Sequence, residues 1–559
     1  MPRRLLLFLG LALLLLSAPA QAADPIMPLS EVRPGLDCEG LSVVRGTEIS
    51  EFDVEIIDVV AGGPPSATRI LVRVSGPAVD ATGIGPGFSG SPVLCDDGSG
   101  TRRTAGAISE GVGEYGNKMV LATPIETMLG ARPEAPGGRR SGAGAALLRS
   151  ARPLGLLTFS GLPPEVRRVL GSAARRARRP VLAAPAGPVG SFPPQDLRPG
   201  AAVGASLISG DLSTAAVGTV TYRDGDALWA FGHQLDALGA RSLMLSDAYV
   251  FSVVNNPLGI PEVSTYKLAA PGHVLGSVTN DTFGAIVGRT GPAPRTIPFT
   301  VNVRDRDTRR AVALSSQVAD ESTHHLGTGL PLMGSLGISS AVADLLASEP
   351  LRISSSLCLR ISIRQRSRPL GFCNKYFDLE GPFTDAQAAL GLVDSYDFSP
   401  LTVTGVTARM GVERGVREGF LLRGSAPRRV RPGQVIRVRL RLRLRRGPRT
   451  SLTARLRVPR DLSPGRRLLR IVGRDARPLD EALEGELVFF LLGEEEGGGE
   501  RSPRSIRELA ARIAALRKPP GLRASFRRGE EARLFYRNAE TLIRGRISIP
   551  LRVVRRGRR

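Results

Sequence analysis

Aromatic residues make up only 5% of this 559-residue chain, and a single tryptophan is among them. Proteins that stack on exposed bases need more, so the shortage argues against a nucleic-acid binder despite a formal net charge of +24. Histidine is equally sparse, with four copies at 233, 273, 324 and 325. Any imidazole chemistry must come from these four. Adjacent His324 and His325 would face opposite sides of a strand, which suits a surface better than a metal site. His273, in a turn after Pro271 and Gly272, reads as structural. Cysteine also numbers four, at 38, 95, 358 and 373, with no CxxC spacing and no clustered histidine. That argues against zinc and leaves disulfides. Four cysteines admit three pairings, the most local being Cys38 with Cys95 and Cys358 with Cys373. No metal or organic cofactor is expected.

One long apolar run is present, Leu5–Leu16, and no second one follows, so no transmembrane anchor is expected in the mature chain. That run follows Arg3 and Arg4 and precedes Ala20, Gln21 and Ala22, a small-x-small cleavage site. These are the parts of a secretory signal peptide over residues 1–22, cleaved near Ala22. The expectation is an exported protein, extracellular or associated with the cell envelope, and the even cysteine count agrees with an oxidising compartment. The positive charge is almost all arginine. Its clearest run, Arg437 to Leu444, alternates with Val438, Leu440 and Leu442, which predicts a strand with one buried and one solvated face. An anionic cell-envelope surface is the partner that this charge admits.

The length predicts roughly three or four domains. Residues 23–130 read as a β-rich segment punctuated by Gly-Pro turns, and residues 131–152, rich in Gly, Pro and Arg, as a linker. Residues 153–300 form a second β-rich block, with a hairpin signal at Asp224-Gly225. Residues 301–395 are mixed α/β, with a short helical pattern around Ser340–Ser348. Over 400–492 regular alternating strands divided by turn signals suggest an immunoglobulin-like β-sandwich. A Glu- and Gly-rich linker spans 493–503. Within 504–559, Ser505 and Glu508 make a capping box that opens a helix with Ile506, Leu509, Ile513 and Leu516 on one face, followed by strands. The class is mainly β and multidomain.

The residues with the most chemistry are Gly87-Phe88-Ser89-Gly90-Ser91-Pro92, which have the form of a serine nucleophile turn. Glycines around the hydroxyl permit unusual backbone angles and close approach of a substrate carbonyl to main-chain N–H groups. A serine hydroxyl needs a base, nearly always histidine, and all four histidines follow Ser89. That order excludes the chymotrypsin arrangement, in which histidine comes first.

Thr82-Gly83-Ile84-Gly85-Pro86-Gly87-Phe88-Ser89-Gly90-Ser91-Pro92-Val93 resembles the nucleophile segment T-G-x-I-x-x-G-M-S-G-S-P-I of the SpoIVB serine peptidases, family S55, with one residue fewer. Ala105-Gly106-Ala107-Ile108 resembles the strand after it. Gly218-Thr219-Val220-Thr221 through Ala230-Phe231-Gly232-His233 is similar to the family's strand pair ending in an A-x-G-H turn, and Gly272–Gly284 to a further stretch of the same domain. The resemblance covers about 23–130 and 200–300, with the serine and histidine segments in reversed order. It implies a trypsin-like, β-barrel-type core split over the two β-rich blocks and an exported endopeptidase acting on a protein or peptide. It further implies Ser89 as nucleophile, His233 as general base, and the N–H groups of Gly87 and Ser89 as oxyanion donors. Gly76 stands where the family has its acidic residue, which leaves Asp80 or Asp236 to orient the imidazole. The alternative is a degenerate scaffold that binds cell-envelope or protein partners without turnover.

Overall fold

Two-residue alternation shapes the first unit. Along Glu48–Val60, Phe52, Val54 and Ile56 are buried while Asp53 and Glu55 between them are exposed, the pattern of a strand with one wet face. β1 (Asp37–Arg45), β2 (Glu48–Val60), β3 (Arg69–Ser75), β4 (Pro92–Asp96), β5 (Arg103–Gly111) and β6 (Met119–Pro124) close into a barrel in the order β1-β2-β3-β6-β5-β4. The computed structural model describes residues 24–60, 68–96, 98–111, 118–133, 157–177, 181–183, 192–255, 265–321, 329–346, 353–473, 502–517, 522–527, 530–532, 534–536 and 541–554. The expected signal peptide, most of both linkers and His324–His325 lie outside these residues.

A second ring follows. β7 (Leu157–Ser160) and β8 (Val181–Ala183) precede β9 (Ala202–Gly210), β10 (Ser213–Asp224), β11 (Ala227–Ala230), β12 (Gly239–Val254), β13 (Tyr266–Asp281) and β14 (Ile286–Thr290). The pairings β9-β12-β13-β14-β11-β10 return from β10 to β9, so six strands close on themselves around Val203, Ala205, Val220, Leu228, Phe231 and Leu245. The hairpin at Asp224-Gly225 is the β10–β11 turn. A helix at Pro164–Ala177, inside the block read as β-rich, is an addition to the sequence reading.

The far end of β9 also pairs with Ala311–Ala319 (β16), and the sheet runs on through β15 (Thr296–Asp305), β17 (Ile353–Ile363), β18 (Leu370–Tyr376) and β19 (Val403–Arg414) to thirteen strands. The core over this half takes residues from helices Pro164–Ala177, Leu330–Leu345, Glu380–Asp394 and Ile506–Ala515. Leu330–Leu345 begins ten residues before the short pattern expected at Ser340. It is buried on almost every side, so no polar stripe marks its length.

The sandwich boundaries change. β19 belongs to the large sheet, pairing with β15 and β17. Two five-stranded sheets between Arg417 and Val553 share one core, and the C-terminal strands after Leu522 complete them. Helix Ile506–Ala515, capped by Ser505 as expected, instead sends Leu509 and Ile513 into the large sheet's core. Alternation records which face of a strand is buried but not which strand lies beside it. Both disulfides take the local pairing. Cys38–Cys95 and Cys358–Cys373 each join directly opposed residues of neighbouring strands. No described helix is long and apolar enough to cross a membrane.

Candidate active site

Ser89 lies in the loop between β3 and β4. Phe88 beside it is fully buried in the first barrel's core and anchors the turn. The loop lies against the second barrel, and its glycines answer to that contact. A Cβ on Gly90 would collide with the Thr219 carbonyl of β10, and one on Gly87 (φ +95°) would lie 2.8 Å from Lys267 Cβ of β13. A main-chain bond crosses the seam, Thr219 N donating to Ser89 O at 2.8 Å, while Gly90 N donates to Ile108 O of β5 within the first barrel at 2.7 Å.

His233 follows β11 in the second barrel. The chain leaves the strand through Phe231 (φ 72°) and Gly232 (φ 67°). A buried phenylalanine in left-handed conformation is a genuine outlier, and such strain collects at functional sites. Thr123 Oγ1 of the first barrel donates to Gly232 O at 2.7 Å. Beyond it, buried Asp281 accepts from Leu235 N (2.9 Å) and Asp236 N (2.8 Å). Buried Arg241 makes a bidentate pair with buried Glu321 at 2.8 and 2.9 Å and reaches Asp281 at 3.4 Å. The histidine turn is thus held by an ionic network that no local motif announced.

Both turns flank β5, Ser89–Gly90 at Ile108 and Gly232 over Ala107 and Ser109. Ser89 and His233 are each 6% exposed. Ser89 Oγ and His233 Nε2 are buried and have no hydrogen-bond partner among the described residues, so they are not bonded to each other. His233 Nδ1 lies 2.7 Å from Gln234 O. A carbonyl only accepts, so Nδ1 carries the proton and Nε2 is left basic. Burial pushes the imidazole's pKa below its ordinary value, against the opposing influences of that carbonyl bond and of Glu110. Neither expected carboxylate hydrogen-bonds to His233. Asp80 is exposed and paired with Lys118 at 2.7 Å, and Asp236 pairs with Arg241 at 3.2 Å. The charges that act on His233 are instead Glu110 and Arg69, themselves paired at 3.1 Å. A side chain at Gly76 would begin 3.3 Å from Asp53 Oδ2 of β2. His273 has a separate task, its Nδ1 3.0 Å from fully buried Asp247, which also accepts from Gln195 N.

The peptide planes around the nucleophile are pinned by their carbonyls. Lys267 N donates to Pro86 O at 2.9 Å, while Ser91 N (2.9 Å) and Ser91 Oγ (2.6 Å) lie against Phe88 O. Because trans peptides are planar, the N–H groups of Gly87 and Ser89 point the opposite way, and neither donates to a main-chain carbonyl among the described residues. Beneath them lies Lys267, fully buried. Its Nζ donates to Ser42 Oγ at 2.7 Å, sits 3.4 Å from Thr219 Oγ1 and lies 4.4 Å above the Phe88 ring. Ser42 lies 2.8 Å from Ser91, and Thr219 Oγ1 reaches Gly87 O at 3.3 Å. The ammonium therefore sits in a hydroxyl cluster of Ser42, Ser91 and Thr219, from which Ser91 and Thr219 bond the Phe88 and Gly87 carbonyls. Burial pushes the Lys267 ammonium down to about 7.

Sequence reasoning missed Lys267, Ser42, Glu110 and Arg241, and gave Ser91 and Thr219 no role beyond their place in a motif. One signal was available. The chain has only four lysines beside its many arginines, so a lysine kept between Tyr266 and Leu268 marks a place where the larger guanidinium does not serve. Comparison with protein families, curated proteins and solved structures finds no match to this chain. A functional reading therefore rests on the geometry and the residues themselves.

Proposed function

We propose that the chain is an exported serine endopeptidase of the SpoIVB type. Ser89 attacks a peptide carbonyl, His233 Nε2 takes the hydroxyl proton and returns it to the leaving amine, and water hydrolyses the acyl-enzyme. One observation carries the reading. A serine turn from one six-stranded barrel and a histidine with a basic, unpartnered Nε2 from another flank the same strand, beside two unengaged N–H groups. Two such rings with the site at their seam also favour the trypsin-like reading of the fold, with the serine barrel first. The Gln234 carbonyl takes over the orienting task of the missing acid. It does not neutralise an imidazolium, and loss of a triad carboxylate with geometry intact costs about four orders of magnitude in rate. Glu110 supplies part of that charge. Ser89 Oγ is closed to solvent here, so substrate entry requires the cover over it to open. The two-sheet module after Arg417 is proposed as the recruiting part.

The second reading, a scaffold without turnover, is favoured by Gly76 and by the absence of a bond between Ser89 and His233. Labelling of the purified protein with a serine-directed fluorophosphonate separates the two. The expected result is label on wild type and none on Ser89→Ala or His233→Ala. Equal absence of label from all three folded proteins would leave the scaffold reading standing.

A further inference from the structure

Eight arginines share the outer face of one sandwich sheet. Arg437, Arg439, Arg441 and Arg443 alternate along Val435–Leu444. Arg449, Arg455 and Arg457 project from the strand beside it, and Arg423 from the strand on the other side. All eight are exposed. The register sets like against like, with Arg437 opposite Arg455, Arg443 opposite Arg449 and Arg423 opposite Arg441. Among the described residues no ion pair engages any of them, whereas Arg445 and Arg544 close by both pair with buried Glu418. Like charges directly opposed on a strand pair work against the sheet. Solvation alone asks only for charge of mixed sign, so a face of one sign needs a counter-surface.

The neighbours narrow what that surface is. On the two flanking strands Ser425, Ser451 and Thr453 stand opposite Arg439, Arg441 and Arg439 respectively, which adds hydroxyls that suit phosphate oxygens. Phe420 (40% exposed), Leu422 (44%) and Val435 (50%) project at the margin of the same patch. The hairpin end beside Arg443 and Arg449 opens into a cleft of about 450 Å³ lined by Arg417, Glu418, Arg445 and Arg446. A row of cations with scattered apolar side chains is the chemistry that binds an interface between charged headgroups and acyl chains. A nucleic-acid strand would ask for stacked aromatics on the face.

We infer that this arginine face docks the protein on a membrane surface rich in anionic phospholipid. The inference stands apart from the peptidase reading. The test uses flotation of the full-length mature protein with phosphatidylcholine vesicles and with vesicles containing phosphatidylglycerol. Wild type is compared with Arg439→Gln/Arg441→Gln and with a control of equal charge loss on the opposite sheet, Arg466→Gln/Arg470→Gln. An arginine near an anionic surface is worth about fivefold in binding, so the face variant should bind about 25-fold more weakly and the control nearly as well as wild type. Binding should require phosphatidylglycerol and fall with salt. Equal loss in both variants would assign the effect to net charge and overturn the proposal. Retention by a soluble anionic polysaccharide or DNA without binding to the vesicles would overturn it also.

Discussion

Replacing Lys267 with methionine removes an ammonium that, among the described residues, has hydroxyls and an aromatic ring but no carboxylate as partner. The folded protein releases that proton near pH 7, the unfolded chain near 10.5. A gap of about 3.5 pH units, at 1.36 kcal/mol each, means that keeping the buried amine charged costs about 5 kcal/mol. The sign follows from linkage. Between pH 7 and 10.5 the unfolded chain binds more protons, so stability rises with pH across that window and is lowest below it. Lys267→Met keeps the stem's volume and abolishes the dependence. Its advantage over wild type should shrink by about 2.5 kcal/mol between pH 6 and 9, read from denaturant titrations followed through this barrel. Lysine ¹³Cε resonances give the titration directly, because only positions 118, 267, 375 and 518 carry lysine. One resonance should titrate near pH 7 and vanish in the variant. Four lysines all titrating above pH 9.5, or parallel stability profiles for the two proteins, would refute the reasoning.

Glu321→Gln should destabilise the protein by about 3–5 kcal/mol, because it leaves the buried guanidinium of Arg241 short of its bidentate partner; a thermal melt within 1 °C of wild type would contradict this. The same change should displace the histidine turn and lower the fluorophosphonate labelling rate of protein that is still folded. Because burial holds the His233 imidazole below its ordinary 6.5, the acid limb of the labelling rate should have its midpoint below that pH. A midpoint at or above 6.5 would show that the ring is solvated in the reactive state.

The sequence was most readable where period two met a half-buried sheet. The arginine run at 437–444 became the strand it predicted, with Ile436, Val438, Leu440 and Leu442 inside. Tertiary neighbours were not readable. Nothing local to Val403–Arg414 says that it pairs with β15 and β17 and not with the strands after it. Within the site, Ser89 and His233 stood out because glycine-rich turns are conspicuous, but part of the reason for those glycines was hidden. Gly87 and Gly90 make room for Lys267 and Thr219 of the other barrel, a contact more than a hundred residues away. Asp80 and Asp236 were singled out for closeness in sequence, and each has a cationic partner of its own. The charged groups that act on His233, Arg69 and Glu110, come from β3 and β5 of the other barrel, which only the closure of the two rings brings near.

The buried Arg241–Glu321 pair also bears on how separable the parts of this chain are. A fragment ending at residue 300, where the β-rich blocks close in sequence, would contain Ser89, His233 and both rings. It would lack Glu321, the bidentate partner of the arginine behind the histidine turn, and β16, which covers the far end of β9. Such a fragment would leave the buried guanidinium with only its longer contacts to Asp236 and Asp281 and would open a sheet edge, two features that favour misfolding and self-association. The smallest self-sufficient unit with the site intact therefore runs past Glu321. The later strands are part of what makes the site foldable, and they could not be exchanged as a detachable accessory.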